Sequence, residues 1–225
     1  MITGKNITKT YTNGIIETQV LRGIDIDIDK GEFVAIMGKS GAGKSTLLYQ
    51  IGLLDQPTTG EILIDNTDVL TLDDRQSTDF RLNKLGYVFQ DYALVPELTA
   101  QENVMMPLLM LGMSTDEAKL QAAQSLERIG MGHRLNNRPN QLSGGEQQRV
   151  SIARAVVQDP LILFADEPTA NLDSASSEKV IEVFKGLHRE GQTIVMVTHE
   201  REYTTECDRI IYLEDGKIVH EERLK

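Results

Sequence analysis

Phe33-Val34-Ala35-Ile36-Met37 is an apolar run of buried-strand length, and the chain turns from it straight into Gly38-Lys39-Ser40-Gly41-Ala42-Gly43-Lys44-Ser45. The octet fits the pattern G-x-x-x-x-G-K-[ST], here set between a strand pattern and a helix. Its glycines let successive backbone N–H groups turn inward around a phosphate, and the helix opening near Lys44 adds its positive end. In such a loop the lysine, Lys44, reaches the β- and γ-phosphates of a nucleotide, and the Ser45 hydroxyl ligates Mg²⁺. Further apolar runs at Ile62–Ile64, Tyr87–Phe89, Leu161–Ala165 and Thr193–Val197 are separated by helical segments. That alternation predicts an α/β fold with a largely parallel sheet covered on both faces.

Other stretches depart from this pattern. Ile24-Asp25-Ile26-Asp27-Ile28-Asp29 alternates strictly, as a strand with one buried and one wet face does. Between about Asp91 and Val157 the chain reads as helical. Thr99-Ala100-Gln101-Glu102 and Ser114-Thr115-Asp116-Glu117 have the form of capping boxes, and Ala118, Ala122, Leu126 and Ile129 fall on one helical stripe. Near the end, Glu214-Asp215-Gly216 reads as a hairpin turn between Ile210–Leu213 and Lys217–Val219.

Two more constellations carry chemistry. Leu161–Ala165 is an apolar strand pattern ending in Asp166-Glu167, which places a carboxylate, Asp166, at a magnesium shell. Glu167, one residue on, is positioned to orient and deprotonate an attacking water. Leu142-Ser143-Gly144-Gly145-Glu146 opens an amphipathic helix through a third capping box, and the same geometry aims N–H groups and a hydroxyl at an anion.

Read as LSGGE, Leu142–Glu146 is the signature that sets one superfamily apart from other phosphate-loop proteins, and the sequence resembles the ATPase domains of the ABC superfamily over essentially its whole length. The resemblance implies a RecA-like P-loop core with a mostly parallel sheet, an N-terminal antiparallel β portion and an inserted α-helical subdomain. Residues 1–90 and 158–225 would form the nucleotide-binding core, and 91–157 the helical subdomain. It implies ATP and Mg²⁺ as ligands and a head-to-tail dimer, of identical or different subunits. Each ATP would lie between one copy's loop, Gly38 to Thr46, and the other's signature. Lys39, Ser40, Gly41, Ala42 and Gly43 would line the phosphates, and Thr46 would add an α-phosphate contact. Ser143, Gly144 and Gly145 would face the partner's nucleotide. Gln90 matches the Q-loop position, used on Mg²⁺ and in sensing a membrane partner. Asp173, in Asn171-Leu172-Asp173, matches the D-loop that communicates between sites. His199 matches the histidine that contacts the γ-phosphate, and Tyr11 the aromatic ring stacked on adenine. Glu167, His199, Lys44 and Gln90 are thus the candidate catalytic set, and Ser45, Gln90 and Asp166 the candidate metal ligands.

Gly52-Leu53-Leu54-Asp55, Glu102-Asn103-Val104 with Pro107-Leu108-Leu109, and Glu167–Asp173 are similar to the lipoprotein-release and macrolide-export branch (LolD/MacB-like). That branch performs export or mechanical work beyond the membrane. Val104–Met113 is too short to span a bilayer, so a separate transmembrane permease would cross it, with this chain peripheral on the cytoplasmic face. The end at Lys225, soon after the ATPase core, fits a free-standing subunit. The methionine-rich Val104–Met113 reads as helical core on one face and as a docking surface for that partner on another. A net charge of −11 argues against nucleic acid as the main partner, and the single cysteine, Cys207, excludes an intramolecular disulfide. The competing class is an ABC ATPase without a transport role, of the iron–sulfur assembly type. A small-molecule kinase shares the phosphate loop but leaves Leu142–Glu146 unexplained.

Overall fold

The computed structural model describes residues 1–14 and 16–224. The end at Lys225, on which the expectation of a free-standing subunit rests, lies outside them. In chain order come β1 (Ile2–Asn13), β2 (Ile16–Ile28), β3 (Phe33–Met37), α1 (Lys44–Ile51), β4 (Thr59–Ile64) and β5 (Thr67–Asp68). Next are α2 (Asp74–Lys84), β6 (Leu85–Val88), α3 (Ala100–Met110), α4 (Thr115–Arg128), α5 (Gly144–Val156) and β7 (Ile162–Asp166). The chain closes with α6 (Ser174–Arg189), β8 (Thr193–Val197), β9 (Arg209–Glu214) and β10 (Lys217–Arg223). Contacts group these into two units, one of residues 1–81 with the chain from Gly191 onward, the other Leu82–Glu190.

In the first unit, β2, β1, β4 and β5 form an antiparallel sheet in that order. Ile24, Ile26 and Ile28 are buried while Asp25, Asp27 and Asp29 between them are exposed, as their alternation requires. Ile62–Ile64 corrects the sequence reading. It belongs to β4 and pairs antiparallel with β1, Ile62 opposite Gly4 and Ile64 opposite Ile2. Only its alternate residues are buried, the mark of a one-faced strand. Phe33–Met37, buried throughout, behaves as a two-faced parallel strand does. It lies between β8 and β9, parallel to both, with Ile36 opposite Val197 and Ile211. The turn between β9 and β10 is the expected hairpin. Asp215 and Gly216 both have positive φ, 46° and 75°, so the two-residue loop matches the right-handed twist of its strands. Arg209, 8% exposed, is held by Glu32 (2.8 Å), Glu221 (2.9 Å) and the Asp27 carbonyl (2.5 Å), so this sunken cation is fully paired.

The second unit carries a parallel pair, β6 and β7, with Val88 opposite Ala165. Its helices α3, α4 and α5 meet in a core of Val104, Leu108, Ala118, Ala122, Leu126, Met131, Val150 and Ala153. Fully burying one such leucine contributes about 1.5–3 kcal/mol. Thr99, Ser114 and Ser143 each make the reciprocal capping box read from sequence. The methionine-rich stretch divides by face: Val104, Met105 and Leu108 are buried, whereas Leu109 and Met110 are 42% and 66% exposed.

Asn103 supplies a structural reason for a residue that resemblance alone had marked. Fully buried, it accepts from the Val95 N–H (2.8 Å) and donates toward the carbonyls of Val95, Leu98 and Thr99 (3.0–3.2 Å). One amide thereby closes the loop that leads into α3. Asn103→Ala takes the acceptor from the Val95 N–H and the side-chain donor from the Leu98 carbonyl, while the Val95 and Thr99 carbonyls keep backbone donors, and is expected to cost about 1–3 kcal/mol. A urea midpoint equal to that of the parent would show that the loop does not depend on it.

Candidate functional site

Helix starts carry unpaired N–H groups, and here they are treated in two ways. α3, α4, α5 and α6 each receive a side-chain acceptor, from Thr99, Ser114, Ser143 and Asp173. α1 begins after Gly43, whose φ of 100° is a glycine conformation, and receives no side-chain acceptor. Its first residue, Lys44, is 7% exposed and donates to the Lys39 carbonyl at 3.2 Å. A helix N-terminus left uncapped, with a lysine folded into the loop before it, fits a polyphosphate. The turn of the β9–β10 hairpin supports the loop from behind. Gly216 N–H donates to the Ala42 carbonyl (3.1 Å), and the Arg22 N–H donates to the Gly216 carbonyl (2.9 Å). Nothing local in the sequence signals that support.

Strands β3 and β8 run side by side, so Gly38 to Ser45 and His199 leave the same end of the sheet. The Thr198 N–H donates to the Ile36 carbonyl at 3.2 Å, which holds the start of the exposed His199 segment to the loop's own strand. Ligands in such sheets gather at the carboxyl ends of the strands. Tyr11, on β1, is 44% exposed, with its hydroxyl bonded to Asp55 at 3.0 Å and also meeting the Thr46 side chain. Burial and the neighbouring Asp55 carboxylate push the Tyr11 phenol above its ordinary value.

The second unit repeats the arrangement. β6 and β7 are parallel neighbours, so the Gln90 segment and Asp166-Glu167 emerge from matching ends. Asp166 is 8% exposed at the end of β7, and Glu167 has φ of 44°. Left-handed backbone costs a non-glycine residue about 1–3 kcal/mol, and a following proline, Pro168, restricts Glu167 further. Strain of this kind concentrates where chemistry fixes a side chain. Ser143 is exposed at the head of α5, its hydroxyl accepting from the Glu146 N–H (3.3 Å). A Cβ on Gly145 would lie 2.8 Å from that of Ser176, so close packing alone demands glycine there. Asp173 caps α6 by accepting from Ser176 N–H (2.9 Å), a bond that pulls its pKa below the ordinary carboxylate value. The oxygen donors of Ser45, Gln90 and Asp166 are of the hard type that suits Mg²⁺.

Sequence reasoning missed what holds the Gln90 segment. Tyr92 and Ala93 are consecutive residues at positive φ, 64° and 48°. Arg154 of α5 donates to both their carbonyls, at 3.0 and 2.6 Å. Gln148, also of α5, donates to the Phe89 carbonyl (3.3 Å), and Asn171 to that of Gln90 (3.1 Å). Side chains from the signature helix and from Asn171-Leu172-Asp173 thus grip four backbone carbonyls of one loop. Arg154→Lys offers one ammonium to two carbonyls. The strain then released is worth about a tenfold or greater rise in amide exchange across residues 90–95. Exchange at the parent rate would show that the loop holds its shape unaided.

A family model described as ABC transporter matches residues 21–170. The chain is 48% identical over 203 residues to the lipoprotein-releasing system ATP-binding protein LolD of Aquifex aeolicus, covering 90% of this chain and 91% of that protein. It is 48% identical over 215 residues to the macrolide export ATP-binding/permease protein MacB of Brucella melitensis, where 96% of this chain spans 33% of the longer protein. Among solved structures, the dimeric post-hydrolysis state of the ATP-binding cassette MJ0796 bound to ADP and Pi is similar at a TM-score of 0.93 and 46% identity. The match covers 100% of this chain and 99% of that one. With the loop, the acid pair and the signature segment all in place, the chain belongs to the ABC transporter ATP-binding family and is an ABC ATPase.

Proposed function

We propose that this chain is the ATP-hydrolysing subunit of a transporter whose membrane-crossing part is a separate polypeptide, and that two copies close head to tail on two ATP molecules. The observation that carries the reading is the uncapped start of α1 in a chain whose signature helix is capped and whose Ser143 is exposed. One such site takes the phosphates, and the other remains available to a second copy's nucleotide. The dimeric relative bound to ADP and Pi supports this. No helix among the described residues is long and apolar enough to cross a membrane, which fits peripheral attachment to the cytoplasmic face through a permease. The names of the LolD and MacB relatives favour export or work beyond the membrane. We take residues 1–90 with 158–225 as the nucleotide-binding core and 91–157 as the helical subdomain. The described residues between Val88 and Ile162 form no strand, which supports that division.

In this reading the N–H groups from Gly38 to Thr46 surround the phosphates, Lys44 neutralises the β- and γ-oxygens, and Tyr11 stacks on the base. Ser45, Gln90 and Asp166 would hold Mg²⁺, which shields the phosphate charge. Glu167 accepts a proton from the water as its oxygen bonds to the γ-phosphorus and the bond to the β–γ bridging oxygen breaks. His199 orients the γ-phosphate. Ser143 and Gly145 of the second copy hold the same group, so its loss reopens the dimer. Asp173 communicates between the two sites.

Glu167→Gln keeps the size and removes the base. Its steady-state ATPase rate is expected to fall at least about 100-fold. ATP binding persists, and ATP-dependent dimers accumulate in size-exclusion chromatography. Turnover near the parent rate would reject Glu167 as the base. The same variant, tagged and loaded with ATP, tests the transport role by pull-down from detergent-solubilised native membranes. A polytopic membrane protein with a large extracytoplasmic domain is expected to co-purify. Enrichment of a soluble scaffold with no membrane protein would move the chain to the non-transport class.

A further inference from the structure

Asp55 stands just beyond the C-terminus of α1, and both its carboxylate oxygens are engaged. Oδ1 accepts from Lys9 Nζ (2.8 Å) and the Gln56 N–H (2.8 Å). Oδ2 accepts from the Tyr11 hydroxyl (3.0 Å) and Gln50 Nε2 (3.1 Å). Lys9 also donates to the Gln56 carbonyl (2.6 Å), and its side chain is only 12% exposed. Lys9 and Tyr11 are two apart on β1 and so project from the same face of the strand. The lysine ammonium lies over the Tyr11 ring, 4.9 Å from its centroid. Against the cost of partial burial, the bonds from Lys9, Tyr11, Gln50 and Gln56 pull the Asp55 pKa below its ordinary value, so the carboxylate is charged at neutral pH.

An exposed tyrosine on a strand ordinarily samples several rotamers, and fixing one on ligand binding costs affinity. Here the para oxygen is tied to Asp55 and one ring face carries the Lys9 ammonium, while the residue as a whole stays exposed. The hydroxyl's contact with Thr46 sets that ring beside the first turn of α1. We propose that Asp55 is a positioning residue that, with Lys9, pre-sets the Tyr11 ring so that its free face receives the nucleotide base. The proposal rests on the nucleotide reading above and adds to it a pair of residues that touch no part of the ligand. It gives Asp55 of Gly52-Leu53-Leu54-Asp55, marked in the sequence only by resemblance, a physical role.

A structural staple between β1 and the end of α1 would lower stability without favouring one ligand over another. Calorimetric titration with the β,γ-imido analogue of ATP and with inorganic tripolyphosphate, both with Mg²⁺, separates the two roles. Tyr11→Ala is expected to weaken the imido analogue by about 5- to 150-fold, the range for one base stacked on an aromatic ring, and to leave tripolyphosphate unchanged. Asp55→Ala and Tyr11→Phe are each expected to weaken the analogue by about 3- to 10-fold, again sparing tripolyphosphate. Adding Asp55→Ala to Tyr11→Ala should bring no further loss. The proposal is overturned if Asp55→Ala weakens both ligands alike, or still weakens the analogue when Tyr11 is already alanine. Should Asp55→Ala not fold, an unchanged ratio of the two affinities in Tyr11→Phe overturns it equally. Failure of the parent protein to bind either ligand would remove the nucleotide reading itself, and the proposal with it.

Discussion

The constraint on which the first unit turns is that α1 starts after Gly43, a residue with no side chain to cap the helix. Unpaired N–H groups cost free energy unless something takes them up, and water or an anion can do so. Elsewhere the chain spends a serine, a threonine or an aspartate on each helix start. Withholding one at α1 keeps the positive end of that helix available. The surroundings then have to hold the loop open without filling it. β3 does so from below, and the β9–β10 turn from behind through Gly216 and Ala42. The fully paired Arg209 ties the base of the same hairpin to β2 and to Glu32, at the entry to β3.

The second unit meets a different demand. Its Gln90 segment holds two consecutive residues in left-handed backbone, an arrangement the chain would relax if free to do so. Arg154, Gln148 and Asn171 oppose that relaxation from the signature helix and from the loop before α6. A segment held this way cannot change shape unless its clamps also move. This couples the loop containing Gln90 to the helix headed by Ser143 through direct hydrogen bonds. The coupling is a physical link between elements that sequence motifs treat as separate.

The sequence made legible what depends on local pattern. The alternation of Ile24–Asp29, the three capping boxes, the stripe on α4 and the Asp215-Gly216 turn each follow from residues a few positions apart. The phosphate-loop pattern of Gly38–Ser45 could be read for the same reason, because it is one contiguous octet. Ile62–Ile64 was misplaced because an apolar triplet is short enough to suit a one-faced or a two-faced strand, and only its partner decides. Arg154, Gln148 and the Gly216 support were invisible because they act on backbone carbonyls, which every residue has and no sequence pattern marks. Asn103 and Asp55 were noticed for resemblance, yet their hydrogen-bond partners, most of them distant or on the backbone, could be found only in the fold.

The charge of the chain bears on why the γ-phosphate would control the proposed dimer. At −11 each, two copies repel, and every bound nucleotide adds negative charge to the pair. Closure therefore needs directed contacts strong enough to offset that repulsion. In the proposed dimer, amide groups at α1 and the side chain of Lys44 on one copy, with the head of α5 on the other, would donate to phosphate oxygens. Most of their attraction depends on an anion being present between them. Glu146, the residue that completes the cap on Ser143, is itself braced by Arg134 at 2.9 Å, so the head of α5 is held in shape before any ligand arrives. A preorganised head of this kind gains from a γ-phosphate without first paying to order itself. In that proposed dimer, hydrolysis of the γ-phosphate would take away the donors' shared acceptor while the repulsion between copies remains, which would favour separation.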